Sequence, residues 1–380
     1  MARTPGIIAI PRADDAYTKC FYEALERCGV TVTAGIFAGR WLFEHSKRGD
    51  FVHLHWPSFL YAAPTRRETL LRFLRFALIL ALLRACGRRI VWTAHNLYPH
   101  DASRPSWVDR VARRFVVALS SQVFAHGPTA AAMVAQEFPG AADKLTEIPH
   151  GNWTGFYPDT CSRDAARDLL GIPRDTHLFL FVGLCKPYKN LHRLLEAFGR
   201  VDADAMLLIA GKFQDPAYLA EIERLASADP GRVRLRAAYV PDDGIQVLMN
   251  ASDTVVLPYT EILTSGGTML AMSFGRPVIA PAKAFLRDIL NERTGVLYDP
   301  TDPDALEVAL RRAMQLEFDR NEILRHAGRF TWEESARLFL AALRRSSGAD
   351  CLPVDPRACA SRSSARSMNR RSPATADPLD

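Results

Sequence analysis

Short apolar runs alternate with helix-period segments along this chain, and the alternation is carried through twice. In the first half the runs lie at residues 6–10, 29–35, 51–56, 89–95 and 122–126, separated by helical patterns at 17–28, 69–86, 107–119 and 130–138. The second half restarts the rhythm, with strands at 177–183, 205–211, 233–237, 254–258, 277–280 and 295–298. Helical patterns at 190–201, 217–228, 242–251, 268–274 and 302–316 lie between them. Strands and helices that alternate in this way imply a parallel, doubly wound sheet. Two such halves predict an α/β chain of two Rossmann-like domains, with a cleft between the carboxyl ends of their sheets.

The length agrees, because 380 residues exceed the roughly 250–300 at which a single core stops growing. The Pro-, Gly- and Trp-rich link "EIPHGNWTGFYPDTCS" separates the halves, so the expected domains are residues 1–156 and 157–331. A last helix over 332–345 is expected to return to the first domain. Residues 346–380, polar and poor in apolar side chains, read as a disordered tail.

Charge is unevenly placed. Residues 1–156 carry 19 Lys and Arg against 12 Asp and Glu, whereas residues 157–345 carry 24 against 26. Much of the excess sits in "PTRRETLLRFLRFALILALLRACGRR", with seven arginines and one glutamate. Its longest uninterrupted apolar run, 76–83, is far short of the roughly 20 residues that span a bilayer. Two readings stand for the part that opens at Thr69 and closes at Arg89: a helix lying on an anionic membrane surface, or a core helix whose arginines reach out to water. Nucleic acid is not expected as a partner, since no aromatic-interleaved basic stripe is present. Seven cysteines without a CxxC pair argue against a disulfide framework or zinc site and for a reducing compartment. The N-terminal apolar run is too short for a signal peptide and reads as a first strand.

Two stretches at strand ends carry the chemistry. "GLCKPYKN" places Lys186 and Lys189 at the carboxyl edge of one strand, with Asn190 at the start of the next helix. Lysine is a compact, multi-donor phosphate binder, and a helix N-terminus adds a positive end. "YTEILTSGGT" follows a second strand and sets Glu261, Thr264, Ser265, Gly266, Gly267 and Thr268 at a helix start. Bare amides and hydroxyls there are suited to phosphate oxygens. Together the two stretches read as the jaws of a diphosphate clamp. On the other half, His95 and Asn96 end a strand, His55 and His53 share one face of another, and His150 lies in the link. The candidates for a general base in this half are His95, His100, Asp101, Asp14 and Asp15.

"VGLCKPYKN" with "LPYTEILTSGGTMLAMSFGRPVIAP" resembles the nucleotide-sugar domain of GT-B glycosyltransferases of the family 4 type. With "VHLHWPSFLY" and "VWTAHNLYPHD" added, the combination is most similar to the bacterial exopolysaccharide mannosyltransferases of the xanthan type, over roughly residues 6–345. The resemblance implies a GDP- or UDP-sugar held by the C-terminal domain and a lipid-linked saccharide held by the N-terminal one. It also implies that Tyr239 and Val240 meet the nucleotide base and that His95 and Asn96 touch sugar hydroxyls. The chain departs from the wider family where Leu184 stands for an arginine. Ile262 and Leu270 stand where paired glutamates are usual, which favours the xanthan-type subgroup.

The expected reaction is therefore an inverting hexosyl transfer, mannose from GDP-mannose first among donors, at the cytoplasmic face of the cell membrane. No cofactor or metal is expected. The two Asp-x-Asp sequences, at 202–204 and 302–304, lie away from the carboxyl edges, and two lysines with a helix N-terminus suffice for a leaving diphosphate. A retaining transfer from a UDP-sugar and a non-catalytic nucleotide-sugar-binding protein are the alternatives. A nicotinamide oxidoreductase is excluded by "PRADDAYTKC" after the first strand, where the G-x-G-x-x-G turn is missing.

Overall fold

The computed structural model describes residues 4–11, 15–99 and 107–347, and the chain divides into two compact units. The first unit runs to Gly151 and takes the chain up again from Thr331; the second is Asn152–Phe330.

The first unit is built on six strands: β1 (Ile7–Ile10), β2 (Val32–Ala34), β3 (Phe51–Leu54), β4 (Arg89–Ala94), β5 (Ser120–His126) and β6 (Leu145–Ile148). Every pairing is parallel, in the order β2-β1-β3-β4-β5-β6. The sequence gives no warning of β6, because its "LTEI" is half polar and sits at the sheet's edge. β1, β3 and the ends of β4 and β5 are buried on both faces, as a parallel sheet covered by helices requires. The Trp332–Ser347 helix belongs to this unit. Its Phe339 ring lies 4.3 Å from that of Phe124 and 5.2 Å from that of Phe21. Gly151 makes room for its first residue, since a Cβ there would stand 2.1 Å from the Trp332 ring.

The Arg66–Ala85 helix starts at Thr65, whose hydroxyl accepts the Glu68 amide, the start that a Thr-x-x-Glu pattern specifies. It buries Phe73, Phe76, Ile79, Leu80 and Leu83. Leu71, Leu74, Leu78 and Leu82 are all 45–60% exposed, a second apolar stripe at helical spacing. One side of this helix is thus core and the other faces solvent. No described helix is long and apolar enough to cross a membrane.

The second unit has β7 (His177–Val182), β8 (Ala205–Ala210), β9 (Val233–Arg236), β10 (Thr254–Val256), β11 (Val278–Pro281) and β12 (Gly295–Tyr298). They form one parallel sheet in the order β12-β11-β10-β7-β8-β9. The link residues join this unit. The Trp153 backbone amide donates to Ser273 Oγ at 2.8 Å, and its indole donates to the Gly266 carbonyl at 2.9 Å. The chain therefore changes units before Trp153, a few residues earlier than the expected boundary at 156. Below the sheet, buried Arg167 pairs with Asp253 at 2.5 Å and donates to four backbone carbonyls, so its charge is neutralised where it is enclosed.

Cys20, Cys86, Cys161 and Cys185 are free thiols. Cys28 is disulfide-bonded.

Candidate functional site

In a doubly wound sheet, ligands bind beyond the carboxyl ends of the strands where the strand order reverses, because the two following loops diverge there and leave a crevice. The second sheet reverses between β7 and β10. The loops that follow these two strands are the ones singled out in the sequence.

After β7 the chain turns through Pro187–Lys189, and Asn190 in the left-handed region (φ 60°) leads into the Leu191–Gly199 helix. After β10 it passes through Tyr259 and Thr260. The Thr260 amide donates to the Tyr188 carbonyl at 2.9 Å, which clasps the loops together. Between them, Lys189 Nζ stands 3.7 Å from the Tyr259 ring centre and 4.8 Å from that of Tyr188. Burial is the main cause that brings its ammonium down from the ordinary lysine range to about 7; Lys186 adds to the shift and Cys185 opposes it. The cation is held by two ring faces, and Glu261, the carboxylate of this loop, is exposed. Gly211 at the neighbouring end of β8 has no space for a side chain, since a Cβ would lie 1.8 Å from the Gly183 carbonyl oxygen.

The "TSGGT" segment opens the Gly266–Ser273 helix. Ser265 and Thr268 do not offer their hydroxyls outward as expected. Both are buried; Ser265 Oγ caps the helix by accepting the Thr268 amide at 3.1 Å, and it lies 2.9 Å from the Thr268 hydroxyl. The surface left for an anion is Thr264 with the Gly266 and Gly267 amides, where no Cβ intervenes. Asn190 makes no side-chain cap. Tyr239 is 70% exposed beyond β9, a free aromatic face, and Val240 beside it is half-buried.

In the first unit, four adjacent strands each end in a histidine: His55 after β3, His95 after β4, His126 closing β5 and His150 after β6. Tyr17, from the Ala16–Arg27 helix, packs edge-on against all four rings and against Trp332, at 4.5–5.6 Å. His53 and His55 do share a face, and Tyr22 Oη lies 2.9 Å from His53 Nδ1 and 2.6 Å from His55 Nε2. His55 Nδ1 is 2.9 Å from His95 Nε2. Both nitrogens of His55 are thus engaged and the ring is fully buried, so it supports the edge instead of meeting a ligand. His95 is partly exposed and stacks on Trp56 at 4.6 Å. Burial drives all the imidazoles here to low values, about 3 for His126 and about 4 for His150, so they are neutral. His150 is enclosed, its Nδ1 2.8 Å from the Gly151 carbonyl. Asn96 is half-buried at the same edge. The loop beyond it is pinned by Arg113, which donates to the Leu97 carbonyl at 2.9 Å, and by Tyr98, which donates to Glu137 at 2.5 Å.

Among the base candidates, Asp15 caps the Ala16–Arg27 helix by accepting the Thr18 amide at 3.0 Å, and so serves the fold. Asp14, His100 and Asp101 lie outside the described residues. Tyr17, Tyr22 and His126 escaped sequence reasoning, since a tyrosine in an amphipathic helix and a histidine ending an apolar run look like core. The aromatic pair around Lys189 was missed because Tyr188 and Tyr259 are 71 residues apart.

The Asp-x-Asp pairs are structural. Asp204 accepts the Thr176 hydroxyl at 3.0 Å at the amino end of β8, and Asp302 accepts the Asp304 amide at 2.9 Å. No group of three or more His, Cys, Asp or Glu among the described residues is arranged to hold a metal ion.

Two doubly wound parallel units in one chain, each with its chemistry beyond the carboxyl edge, define the GT-B fold. Sucrose-phosphate synthase from Thermosynechococcus elongatus shares it, with a TM-score of 0.68 over 90% of this chain and 99% of that one at 19% identity. So does HepE from Anabaena in complex with UDP-glucose, at 0.64 over 90% and 92%, 18% identical. Residues 176–315, the heart of the second unit, match the family described as glycosyl transferases group 1. GDP-mannose:glycolipid 4-beta-D-mannosyltransferase of Xanthomonas campestris pv. campestris is 30% identical over 241 residues. The match covers 62% of each chain, so this one spans under two thirds of that relative's length.

Proposed function

We propose that the protein transfers a hexosyl unit from a nucleotide sugar, GDP-mannose first among candidates, to a lipid-linked saccharide, with inversion and without a metal. The observation that carries this reading is the Lys189 ammonium held between two aromatic faces at the point where the second sheet's strand order reverses. An arriving diphosphate would supply this cation with an anion, flanked by Lys186 and the Gly266–Gly267 amides. The same groups would stabilise the charge that develops on the leaving nucleoside diphosphate. Tyr239 offers a face for the base. Similarity to the Xanthomonas mannosyltransferase favours mannose and a glycolipid acceptor.

In the first unit, His95 is the described group suited to the acceptor hydroxyl. It is neutral, partly exposed, and engaged through Nε2 alone. The exposed leucine stripe of the Arg66–Ala85 helix, flanked by Arg67, Arg72, Arg75 and Arg84, would lie on the anionic inner face of the cell membrane, where a lipid-linked acceptor is presented. The test is a screen of nucleotide sugars for binding and hydrolysis by wild type and Lys189→Ala. A donor that binds wild type and loses affinity in the variant supports the reading. Binding that Lys189→Ala leaves unchanged refutes the site.

A further inference from the structure

Beneath His95 runs an unbroken chain of short hydrogen bonds. Thr93 Oγ1 lies 2.8 Å from His53 Nε2, and His53 Nδ1 lies 2.9 Å from Tyr22 Oη. Tyr22 Oη lies 2.6 Å from His55 Nε2, and His55 Nδ1 lies 2.9 Å from His95 Nε2. Thr93, His53, Tyr22 and His55 are all fully buried. The chain draws on three separate elements, β3, β4 and the Ala16–Arg27 helix, and so is assembled by the fold.

Each link requires one donor and one acceptor. A neutral imidazole has one N–H and one lone pair, and a hydroxyl has a single proton. Once the direction of one bond is set, every other follows, and the nitrogen of His95 that carries its proton is fixed with them. An imidazolium anywhere in the series would place two donors face to face or force a neighbour to reverse, and a dry interior penalises the charge as well. With Tyr22 donating to one imidazole and accepting from the other, the chain has two concerted arrangements. In each, His95 is one neutral tautomer with its ring plane held by His55 and by stacking on Trp56. The other nitrogen, Nδ1, makes no hydrogen bond among the described residues.

We propose that Tyr22, together with His53 and His55, is a positioning residue for this site: the buried chain couples the tautomer of His95 to its own direction and holds the ring in one orientation at the carboxyl edge. The proposal rests on the reading that His95 serves the acceptor. Tyr22 is its key link because its one proton couples two imidazoles that do not bond each other.

The experiment uses the full chain, labelled with 15N-histidine, as wild type, Tyr22→Phe and Thr93→Val. Both variants remove one hydroxyl from the chain at nearly constant volume, so if one fails to fold the other still reports. Long-range 1H–15N correlations give the proton location on His95, and steady-state kinetics give kcat and KM for donor and acceptor. The expected result is a His95 tautomer balance in the variants that differs from that of wild type. The kcat should fall about 10- to 100-fold while the donor KM stays within about twofold. A merely structural role would lower stability and leave the His95 signals as in wild type, which overturns the chain. A changed His95 tautomer balance with undiminished kcat overturns the role in transfer, and with it the reading of His95 as the acceptor's partner, while the donor site stands.

Discussion

Lys189 makes donor affinity depend on pH in a way the structure allows to be worked out. Without a bound anion its ammonium titrates near 7, because burial between Tyr188 and Tyr259 removes water from the cation and no carboxylate among the described residues replaces it. The neighbours that face it do not titrate in this range as acids: burial raises both the Cys185 thiol and the Tyr259 phenol. A nucleotide sugar carries a diphosphate diester whose two charges are constant from pH 6 to 8, so the ligand adds no titration of its own. If the bound diphosphate keeps Lys189 charged, binding must pull a proton onto it. The charged fraction of the empty site falls from about nine-tenths at pH 6 to about one-tenth at pH 8. The Kd should then rise about tenfold over that interval, about 1.4 kcal/mol, and level off below pH 6. Titration calorimetry at pH 7 in two buffers of different ionisation enthalpy should show uptake of about half a proton per donor bound. Lys189→Met should bind more weakly, without either effect. The stability of the empty protein moves the opposite way. The unfolded chain binds the extra proton between pH 7 and 10.5, so this group adds stability as pH rises through that window and adds none below it. A wild-type Kd that is flat from pH 6 to 8 with no proton uptake would refute the reasoning.

Gly211→Ala forces a Cβ against the Gly183 carbonyl, so it should distort the end of β7 and abolish donor binding while the first unit keeps its fold, as checked by limited proteolysis and nucleotide-sugar titration. Asp253→Ala leaves Arg167 buried without its partner and should cost about 3–5 kcal/mol in denaturant unfolding of the second unit. Flotation with anionic liposomes should recover the wild-type protein. It should lose both an Arg72/Arg75/Arg84 triple-alanine variant and a Leu74→Ser/Leu78→Ser variant, and equal flotation of all three would dismiss the membrane face. Gly151→Ala should lower the melting temperature of the first unit by displacing Trp332, and an unchanged value would mean that the Trp332 ring is not held where it stands.

The sequence carries a great deal of this molecule, because its information is local. Apolar runs with period-breaking turns announce eleven of the twelve strands, and the parallel, doubly wound class follows from their alternation with helices. Lys186, Lys189 and the Gly266–Gly267 turn are legible because each stands directly after an apolar run, which is where a parallel strand delivers its chemistry. β6 is not legible, since an edge strand with polar positions has no pattern to distinguish it from a loop. The roles of individual side chains also lie beyond one-dimensional reading. Ser265 and Thr268 look like anion ligands until the helix start turns Ser265 into its own cap. Lys189 reads as a phosphate-binding lysine, but its enclosure by Tyr188 and Tyr259 comes only from residues of two distant strand ends closing over it.

Charge, period and turn chemistry fixed what each segment is. Only the tertiary structure decided which segments share a site, because strand order in a parallel sheet is set by crossovers that leave no trace in neighbouring residues. It placed β10 beside β7 and so brought Tyr259 against Lys189. It also stacked β3, β4, β5 and β6 so that four histidines, from positions 55 to 150, meet along one edge.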